Sequence, residues 1–382
     1  MRLPSERYKT HGELSPLAIY TARMFRVVII IALLVLCRRA VPDTGGKCLA
    51  ASITPEGDQI TGSFTYPADR EYCPATVHAV WTDALLYLSG GLGVFSERFF
   101  RPEERFVADQ FGYVIYSKTD PKMGIYAPNG ELIFEHSGAA WPRLAGSAEW
   151  IFLFTGDQSG VAFLDRQGGE MGGGFQQFAS MVTAWAYTEA DQSAVLGMMD
   201  GSIEKISVIE NRSLWRIEPP AGSLPVIKGL AAALSGVVAV SGSDPEYISM
   251  IDHKGQVLWN RKTEGDLRTR VMVCATENFA VTHTRDTAVI LCLDTGRVFA
   301  ALKPIADERI TWISVAESPR ALYLSVSQGS RTTIYHIAAN GRVRDCAVVD
   351  SPWAELALTA DVLLAITTRD ALNLYQNPGE AE

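Results

Sequence analysis

A pattern of short apolar runs and turns recurs along most of the chain at a spacing of about 42 residues, and it constrains the fold more than any other feature. One copy is YISMIDHKGQVLWN, residues Tyr247–Asn260, in which two apolar runs flank a Lys-Gly turn as in a β-hairpin. Related stretches surround Gly168, Gly296 and Gly341. A unit of this length has room for four short strands and their turns, which is typical of a β-propeller blade.

Two sets of turn residues follow this spacing. The first set ends the apolar runs that have the character of second strands, at intervals of 30 to 44 residues: Gly90, Asp120, Asp157, Asp200, Asp244, Asp286, Gln328 and Asp370. The second set follows the third strands at intervals of 38 to 45 residues: Gly130, Gly168, Asn211, Gly255, Gly296 and Gly341. Because the two sets drift together, they predict an all-β chain with a single propeller of eight blades. Seven blades is the alternative, if the first hairpin completes the last blade.

The last unit, residues 353–376, contains only three strands. Since an open sheet edge promotes aggregation, a fourth strand is expected from elsewhere in the chain. We expect Asp58–Pro67, DQITGSFTYP, to supply it and to close the ring from the amino-terminal side. The predicted propeller domain therefore covers residues 58–376, with a tail at 377–382.

The amino-terminal part contains the one strongly apolar run, Met24–Arg39. Its uncharged core, Val27–Cys37, would extend about 16 Å as a helix, roughly half of a bilayer core of about 30 Å, and this length suits a signal peptide. A longer segment, Leu17–Cys37, could span a membrane if Arg23 and Arg26 extend to its surface. We therefore predict a hydrophobic helix at 24–39, with an uncleaved anchor, a cleaved signal and lipidation at Cys37 as alternatives.

The regions on either side of this run complete the predicted organisation. Residues 1–23 are either a cytoplasmic n-region or the result of a mis-set start, and residues 40–57 are polar and rich in Pro and Gly, as in a linker. Residues 1–47 contain 8 Lys and Arg against 3 Asp and Glu, whereas the rest of the chain has a net charge of −14. An acidic body does not favour nucleic acid. We expect it to lie outside the cytoplasm, on the periplasmic or extracellular side.

The third and fourth strands of the units resemble the repeat of quinoprotein-like, or PQQ-like, propellers: an apolar strand, Asp, a short Gly turn, and a strand that often carries Trp. The Asp position is held by Asp165, Asp252 and Asp294, and the Trp position by Trp215 and Trp259. Ala127 and Ala338 depart from the pattern. WD40-type propellers match the period, but no unit ends in Trp-Asp. The resemblance covers residues 77–376 and implies a protein-contact role, because outer-membrane assembly lipoproteins use this scaffold for protein contacts.

No enzymatic pattern accompanies the resemblance. Quinoprotein dehydrogenases carry a vicinal disulfide and a calcium site, and this sequence has no adjacent Cys pair and no Cys-x-x-Cys-His motif. The six histidines lie in different units: His11, His78, His136, His253, His283 and His336. We therefore predict a non-catalytic interaction scaffold without catalytic, cofactor-binding or metal-binding residues. A sensor that binds a ligand in the central channel is the alternative, followed by a propeller enzyme.

Several polar features have structural interpretations. The Asp residues of the first set could form a charged ring, but Asp is a preferred turn residue because its carboxylate accepts a backbone N–H two residues on. Cys48 and Cys73 could form a disulfide outside the cytoplasm. We expect buried free thiols at three further cysteines: Cys274, Cys292 and Cys346. The sequon at Asn211 lies in the second turn set.

The longer connections between units are the predicted partner-binding segments, because loops on rigid scaffolds often carry binding functions. Two of them are Glu218–Pro225, EPPAGSLP, and Pro304–Arg309, PIADER. We expect them to lie on the same face as the Asp turns of the first set.

Overall fold

The computed structural model describes residues 48–53, 77–80, 84–88, 94–109, 111–117, 122–138, 141–145, 150–263, 271–304, 308–318, 321–358, 363–368 and 372–376. These residues form thirty-one strands in eight antiparallel sheets, and one short 3-10 helix, Glu189–Asp191. The predicted segments 1–23 and 24–39 and the tail at 377–382 lie outside them. Within the described ranges no helix is long and apolar enough to cross a membrane.

The sheets are numbered along the chain, and the first four take their strands in sequence order. Sheet 1 contains β2 (Val77–Val80), β3 (Ala84–Leu88) and β4 (Val94–Phe99). Sheet 2 contains β5 (Glu104–Asp109), β6 (Gly112–Ser117), β7 (Lys122–Tyr126) and β8 (Leu132–Ser137). Sheet 3 contains β9 (Trp141–Leu144), β10 (Trp150–Phe154), β11 (Gly160–Asp165) and β12 (Glu170–Gln177). Sheet 4 contains β13 (Val182–Thr188), β14 (Ser193–Met198), β15 (Ile203–Ser207) and β16 (Arg212–Ile217).

Sheets 5 to 7 follow the same order, whereas sheet 8 also uses the first strand of the chain. Sheet 5 contains β17 (Ile227–Ala233), β18 (Gly236–Ser241), β19 (Glu246–Asp252) and β20 (Val257–Thr263). Sheet 6 contains β21 (Val273–Ala275), β22 (Phe279–His283), β23 (Ala288–Cys292) and β24 (Val298–Leu302). Sheet 7 contains β25 (Ile310–Ser318), β26 (Ala321–Gln328), β27 (Arg331–Ala338) and β28 (Val343–Val349). Sheet 8 contains β29 (Ala354–Leu358), β30 (Leu363–Thr368), β31 (Leu372–Gln376) and β1 (Cys48–Ile53).

The sheets pack face to face in a closed ring. An apolar cluster joins each pair of neighbouring sheets from sheet 1 to sheet 8; the one between sheets 4 and 5, for example, includes Val195 and Val237. Contact between β2 and β30 brings sheet 8 against sheet 1. The described residues thus form a β-propeller of eight blades, as predicted. The seven-bladed alternative is wrong because the first hairpin forms sheet 1.

The amino-terminal side of the chain closes the ring, but not through the predicted segment. Strand β1 pairs antiparallel with β31, with Ser52 opposite Asn373 and Ile53 opposite Leu372. The outer place in sheet 8 thus belongs to Cys48–Ile53, inside the stretch predicted to be a linker, and the choice of Asp58–Pro67 was wrong. That segment lies outside the described residues. A strand is added to a sheet through backbone hydrogen bonds, which many extended sequences can make. The pattern of side chains is therefore a poor guide to which segment supplies the fourth strand.

Strand burial follows position in the blade. In sheet 5 the second strand, β18, is buried at all six positions, whereas the fourth strand, β20, is exposed at most positions. Inner strands are covered by a neighbouring sheet on each face, so they read as continuous apolar runs. The fourth strand lies at the outer edge and tolerates polar residues.

The two Trp residues of the repeat join sheet 4 to sheet 5 and sheet 5 to sheet 6. Trp259 on β20 donates an indole hydrogen bond to the Leu293 carbonyl of sheet 6 at 2.7 Å. Its ring lies so close to Gly296 that an added Cβ there would sit 2.6 Å from it. Trp215 does the same against Gly255, and donates to the His253 carbonyl at 3.0 Å. The glycines of the second turn set therefore make room for an aromatic ring of the preceding blade.

The exception at Asn211 has a compensating glycine. All six residues of the second turn set have positive φ, including Asn211 at 48°. Here the facing fourth strand carries Gly172, where an added Cβ would overlap the Cβ of Asn211. The Asn211 amide also donates to the Gly174 carbonyl at 2.7 Å. At this position the larger side chain therefore lies in the turn and the glycine lies in the facing strand. The Asn211 side-chain amide, which belongs to the sequon, takes part in the contact between sheets 3 and 4.

Two ion pairs with a buried basic side chain, neither predicted from the sequence, reinforce the same arrangement. Arg166 of sheet 3 pairs with Asp109 at the end of β5 in sheet 2. The buried Lys205 pairs with Asp191, and the His253 ring of sheet 5 lies 3.5 Å from the same carboxylate. Burial acts to raise the pKa of Asp191, but hydrogen bonds from Lys205 and Thr188 outweigh it and hold that pKa below its usual value.

Candidate functional site

One face of the propeller carries both the turns between second and third strands and the connections between sheets; we call it the mouth face. In sheet 5, the Ser223 amide of the connection donates to the Ser243 carbonyl of the turn at 2.9 Å. In sheet 7, the Gln328 side chain donates to the Glu308 carbonyl at 2.5 Å. The predicted placement of the connections on the face of the Asp turns is therefore correct for the residues described in both connections.

The connection Glu218–Pro225 is held rigidly on this face. Ser241 Oγ donates to the Pro220 carbonyl at 2.6 Å, and Ser223 Oγ donates to the Ser243 carbonyl at 3.0 Å. An added Cβ at Gly222 would overlap the backbone of the adjacent turn. Within this fixed frame, Leu224 is 58% exposed. The connection thus presents an apolar side chain to solvent from a preformed backbone.

The central channel opens on the mouth face as a cavity of about 400 Å³. The beginnings of the first strands of sheets 3 to 7 wall it, with contributions from the ends of second strands. The lining side chains that matter for its chemistry are Trp141, Arg143, Gln158, Trp185, Lys228 and His283. A second cavity, of about 440 Å³, lies where the first strands of sheets 4, 5 and 6 end; its lining includes the acidic side chains Glu189 and Glu277.

Most charge at the mouth is compensated within the protein. Lys228 and Glu246 form an ion pair at 2.8 Å, with side-chain exposures of 0% and 2%. The His283 Nε2 atom accepts a hydrogen bond from the Met272 amide at 3.3 Å, so Nδ1 carries the proton and donates to the Thr284 carbonyl at 2.8 Å. Both of these hydrogen bonds are made with backbone groups.

Two Asp residues of the first turn set, Asp157 and Asp200, accept the backbone N–H two residues on, as predicted. The Asp157 carboxylate accepts hydrogen bonds from the Thr155 hydroxyl at 2.6 Å and the Ser159 amide at 3.0 Å. These bonds, the hydroxyl first, lower the pKa of Asp157 to about 2. Asp200 likewise accepts from the Ser202 amide at 3.0 Å. Gly90, Asp120 and Asp370 lie outside the described residues.

The histidines do not converge on a site within the described ranges. The four described imidazoles lie in four different sheets: His136 in sheet 2, His253 in sheet 5, His283 in sheet 6 and His336 in sheet 7. His336 stacks on Tyr323, with the ring centroids 5.0 Å apart, and burial followed by the charge of Arg344 lowers its pKa. The described residues also contain no group of three His, Cys, Asp or Glu side chains able to hold a metal ion.

The described cysteines are free thiols, but they are not all buried. Cys274 and Cys292 are partly buried, on different strands of sheet 6. Cys346 is exposed on β28, so the prediction of a buried thiol there was wrong: the outer strand of sheet 7 has no neighbour on its exposed face. Burial, with a smaller effect of the Glu355 charge, raises the pKa of Cys274 to about 12. The predicted Cys48–Cys73 disulfide lies outside the described residues.

Comparisons with known proteins bear on the fold alone. No protein-family model and no curated protein sequence matches the chain. BamB from Moraxella catarrhalis is similar in structure, with a TM-score of 0.59 and 13% identity over 87% of this chain and 98% of that one. The computationally designed Ika8 protein gives 0.57 and 16% over 80% and 96%. U3-55K gives 0.52 and 11% over 78% and 99%. The chain is a β-propeller repeat protein, as its sequence predicts.

Proposed function

We propose that this chain is a non-catalytic propeller that binds another protein through its mouth face. The observation that carries the proposal is the connection Glu218–Pro225, whose backbone is fixed by the neighbouring turn and which exposes Leu224. A preformed loop loses little conformational entropy on binding, and an apolar side chain at its tip supplies contact area. The protein-contact role implied by the PQQ-like resemblance agrees with this interpretation.

A pair of matched substitutions tests the proposed face. Leu224 and Leu258 are 58% and 55% exposed, but Leu258 lies on the outer strand β20, away from the mouth face. We expect Leu224→Ser to reduce the recovery of partner proteins that co-purify with the tagged full-length chain, and Leu258→Ser to leave it unchanged. Loss of partners only with Leu258→Ser would place the interface on the outer edge instead.

We also propose that residues 24–39 tether the propeller to a membrane, with the acidic body on the periplasmic or extracellular side. The support is the apolar run itself and the charge difference between residues 1–47 and the rest. A carboxyl-terminal reporter that is active only in the cytoplasm should then stay silent. A bright reporter would reverse the topology without affecting the proposal about the mouth face.

A further inference from the structure

Among the described side chains that line the cavity at the channel mouth, Arg143 has no carboxylate partner. On β9, Trp141 and Arg143 are partly exposed whereas Pro142 and Leu144 are buried. Because side chains alternate along a strand, the indole and the guanidinium lie on the same side of it, and both line the cavity. Arg143 donates to the Pro142 carbonyl at 3.0 Å, and no described residue supplies it with a carboxylate.

The other ionisable groups at the mouth do not cancel this charge. Lys228 pairs with Glu246, and the two described hydrogen bonds of the His283 ring are made with backbone groups. Glu355 is exposed on β29 and is not among the residues that line this cavity. An arginine remains protonated in proteins, so Arg143 adds a positive charge to the described lining of the cavity. Its planar guanidinium matches the geometry of a carboxylate.

Part of the wall is apolar, and aromatic packing holds it in place. The Trp185 ring packs edge-on against Phe152 with centroids 5.2 Å apart, and Trp141 lies 6.0 Å from Tyr116 in the same manner. Met272 adds a further apolar surface. At about 400 Å³ the cavity lies towards the small end of ligand sites, which span roughly 300–1,000 Å³. The two indoles and Met272 offer a contact surface for a small apolar group beside the guanidinium of Arg143.

We propose that the channel mouth binds a single carboxylate attached to an apolar group, with Arg143 pairing with the carboxylate and the two indoles contacting the apolar part. Two sources carry this chemistry: the carboxyl terminus of a protein and a free carboxylic acid. The site does not depend on the proposed role of Leu224, since it is formed by the first strands rather than by the connections.

The test uses the full-length chain in mild detergent, with nitrogen-15 in its tryptophan indoles, observed by NMR. The probes are N-acetyl-leucine, its amide and 4-methylpentanoate. We expect the acids to shift the indole signal of Trp141 saturably, and the amide to bind at least about tenfold more weakly, because charge-assisted hydrogen bonds are the stronger ones. Trp141→Phe assigns the signal.

Substitutions at Arg143 distinguish a loss of binding from a loss of folding. Arg143→Gln should weaken binding of the acids by about tenfold or more while the other indole signals keep their positions, and Arg143→Lys should retain part of the affinity. Arg331→Gln, an exposed arginine at the start of β27, is the matched control and should change nothing. Tighter binding of N-acetyl-leucine than of 4-methylpentanoate would indicate a protein terminus, and the reverse a free acid. Equal binding of acid and amide, unchanged binding by Arg143→Gln, or no saturable shift with either acid would overturn the proposal.

Discussion

The contact between Trp259 and Gly296 yields a prediction about what holds neighbouring sheets together. Gly296 has a φ of 65°, and an added Cβ would lie 2.6 Å from the indole of Trp259. In Gly296→Ala, the left-handed backbone costs a non-glycine residue about 1–2 kcal/mol, and forcing the ring aside costs about 1–3 kcal/mol more. We expect a total loss of about 2–5 kcal/mol in the free energy of unfolding.

The chain contains a matched control for the backbone part. Gly173 has a φ of 86°, and an added Cβ there would meet nothing within 4 Å. Gly173→Ala should therefore cost only the backbone part, about 1–2 kcal/mol. Thermal unfolding followed by circular dichroism compares the two variants directly. The difference between their transitions should amount to a few degrees, since 1 kcal/mol corresponds to about 2–4 °C in chains of 150–250 residues and less in longer ones.

A double-mutant cycle isolates the contact with the ring. Trp259→Ala removes the indole and leaves space for the new methyl group, so adding Gly296→Ala should then cost no more than Gly173→Ala does. The coupling between the two changes should be about 1–3 kcal/mol, as for residues in direct contact. The reasoning would be refuted if Gly296→Ala and Gly173→Ala were equally destabilising, or if the changes at positions 259 and 296 were additive.

Three further predictions concern the buried ion pair, the closing strand and one turn. Lys228→Met should lower the free energy of unfolding in urea by about 3–5 kcal/mol because it removes the positive charge paired with the buried Glu246, and adding Glu246→Leu should recover most of that loss. A chain that starts at residue 54 lacks β1 and should aggregate more and melt lower in light-scattering and melting assays than one that starts at residue 47. Thr155→Val should raise the pKa of Asp157 from about 2, as measured by carboxyl NMR. Because the folded pKa is depressed, Asp157 contributes stability above its usual pKa of about 3.8 that is lost as the pH falls towards 2.

Each of these has an outcome that contradicts it. Failure of the second substitution to recover stability would mean that Lys228 acts through packing rather than charge. Equal melting and solubility of the two truncated chains would show that β1 is dispensable for the ring. An unchanged Asp157 titration in Thr155→Val would remove the hydroxyl as the cause of the shift.

The sequence predicted the strands correctly where an apolar run reflects the burial of a strand. In sheet 5 the hairpin predicted at Tyr247–Asn260 is observed as the strands Glu246–Asp252 and Val257–Thr263. The first of these strands is apolar because it is covered on each face. The pairing of a glycine in the strand, Gly172, with a larger residue in the turn, Asn211, could not be predicted, because it depends on which strand contacts which turn of the next sheet.

The candidate site was less visible in the sequence. Arg143 is an isolated arginine near the start of a short strand, and only the ring brings it beside Trp185. One residue in the sequence could have predicted part of this site. Lys228 lies within an apolar inner strand, and a lysine in such a strand implies a buried acidic partner, which is Glu246. The closing strand shows the opposite limit, because the need for it followed from the sequence but its position at Cys48–Ile53 did not.

The proposal that a partner protein binds the mouth face is tested most directly by mapping where a bound protein contacts the propeller. A photoreactive amino acid would be placed in the full-length chain at Leu224 on the mouth face or at Asp294, an exposed residue between the third and fourth strands of sheet 6 on the opposite face. After illumination in native membranes, we expect a discrete crosslinked protein from position 224 and none from position 294. Crosslinks from position 294 alone would contradict it and assign the binding role to the opposite face.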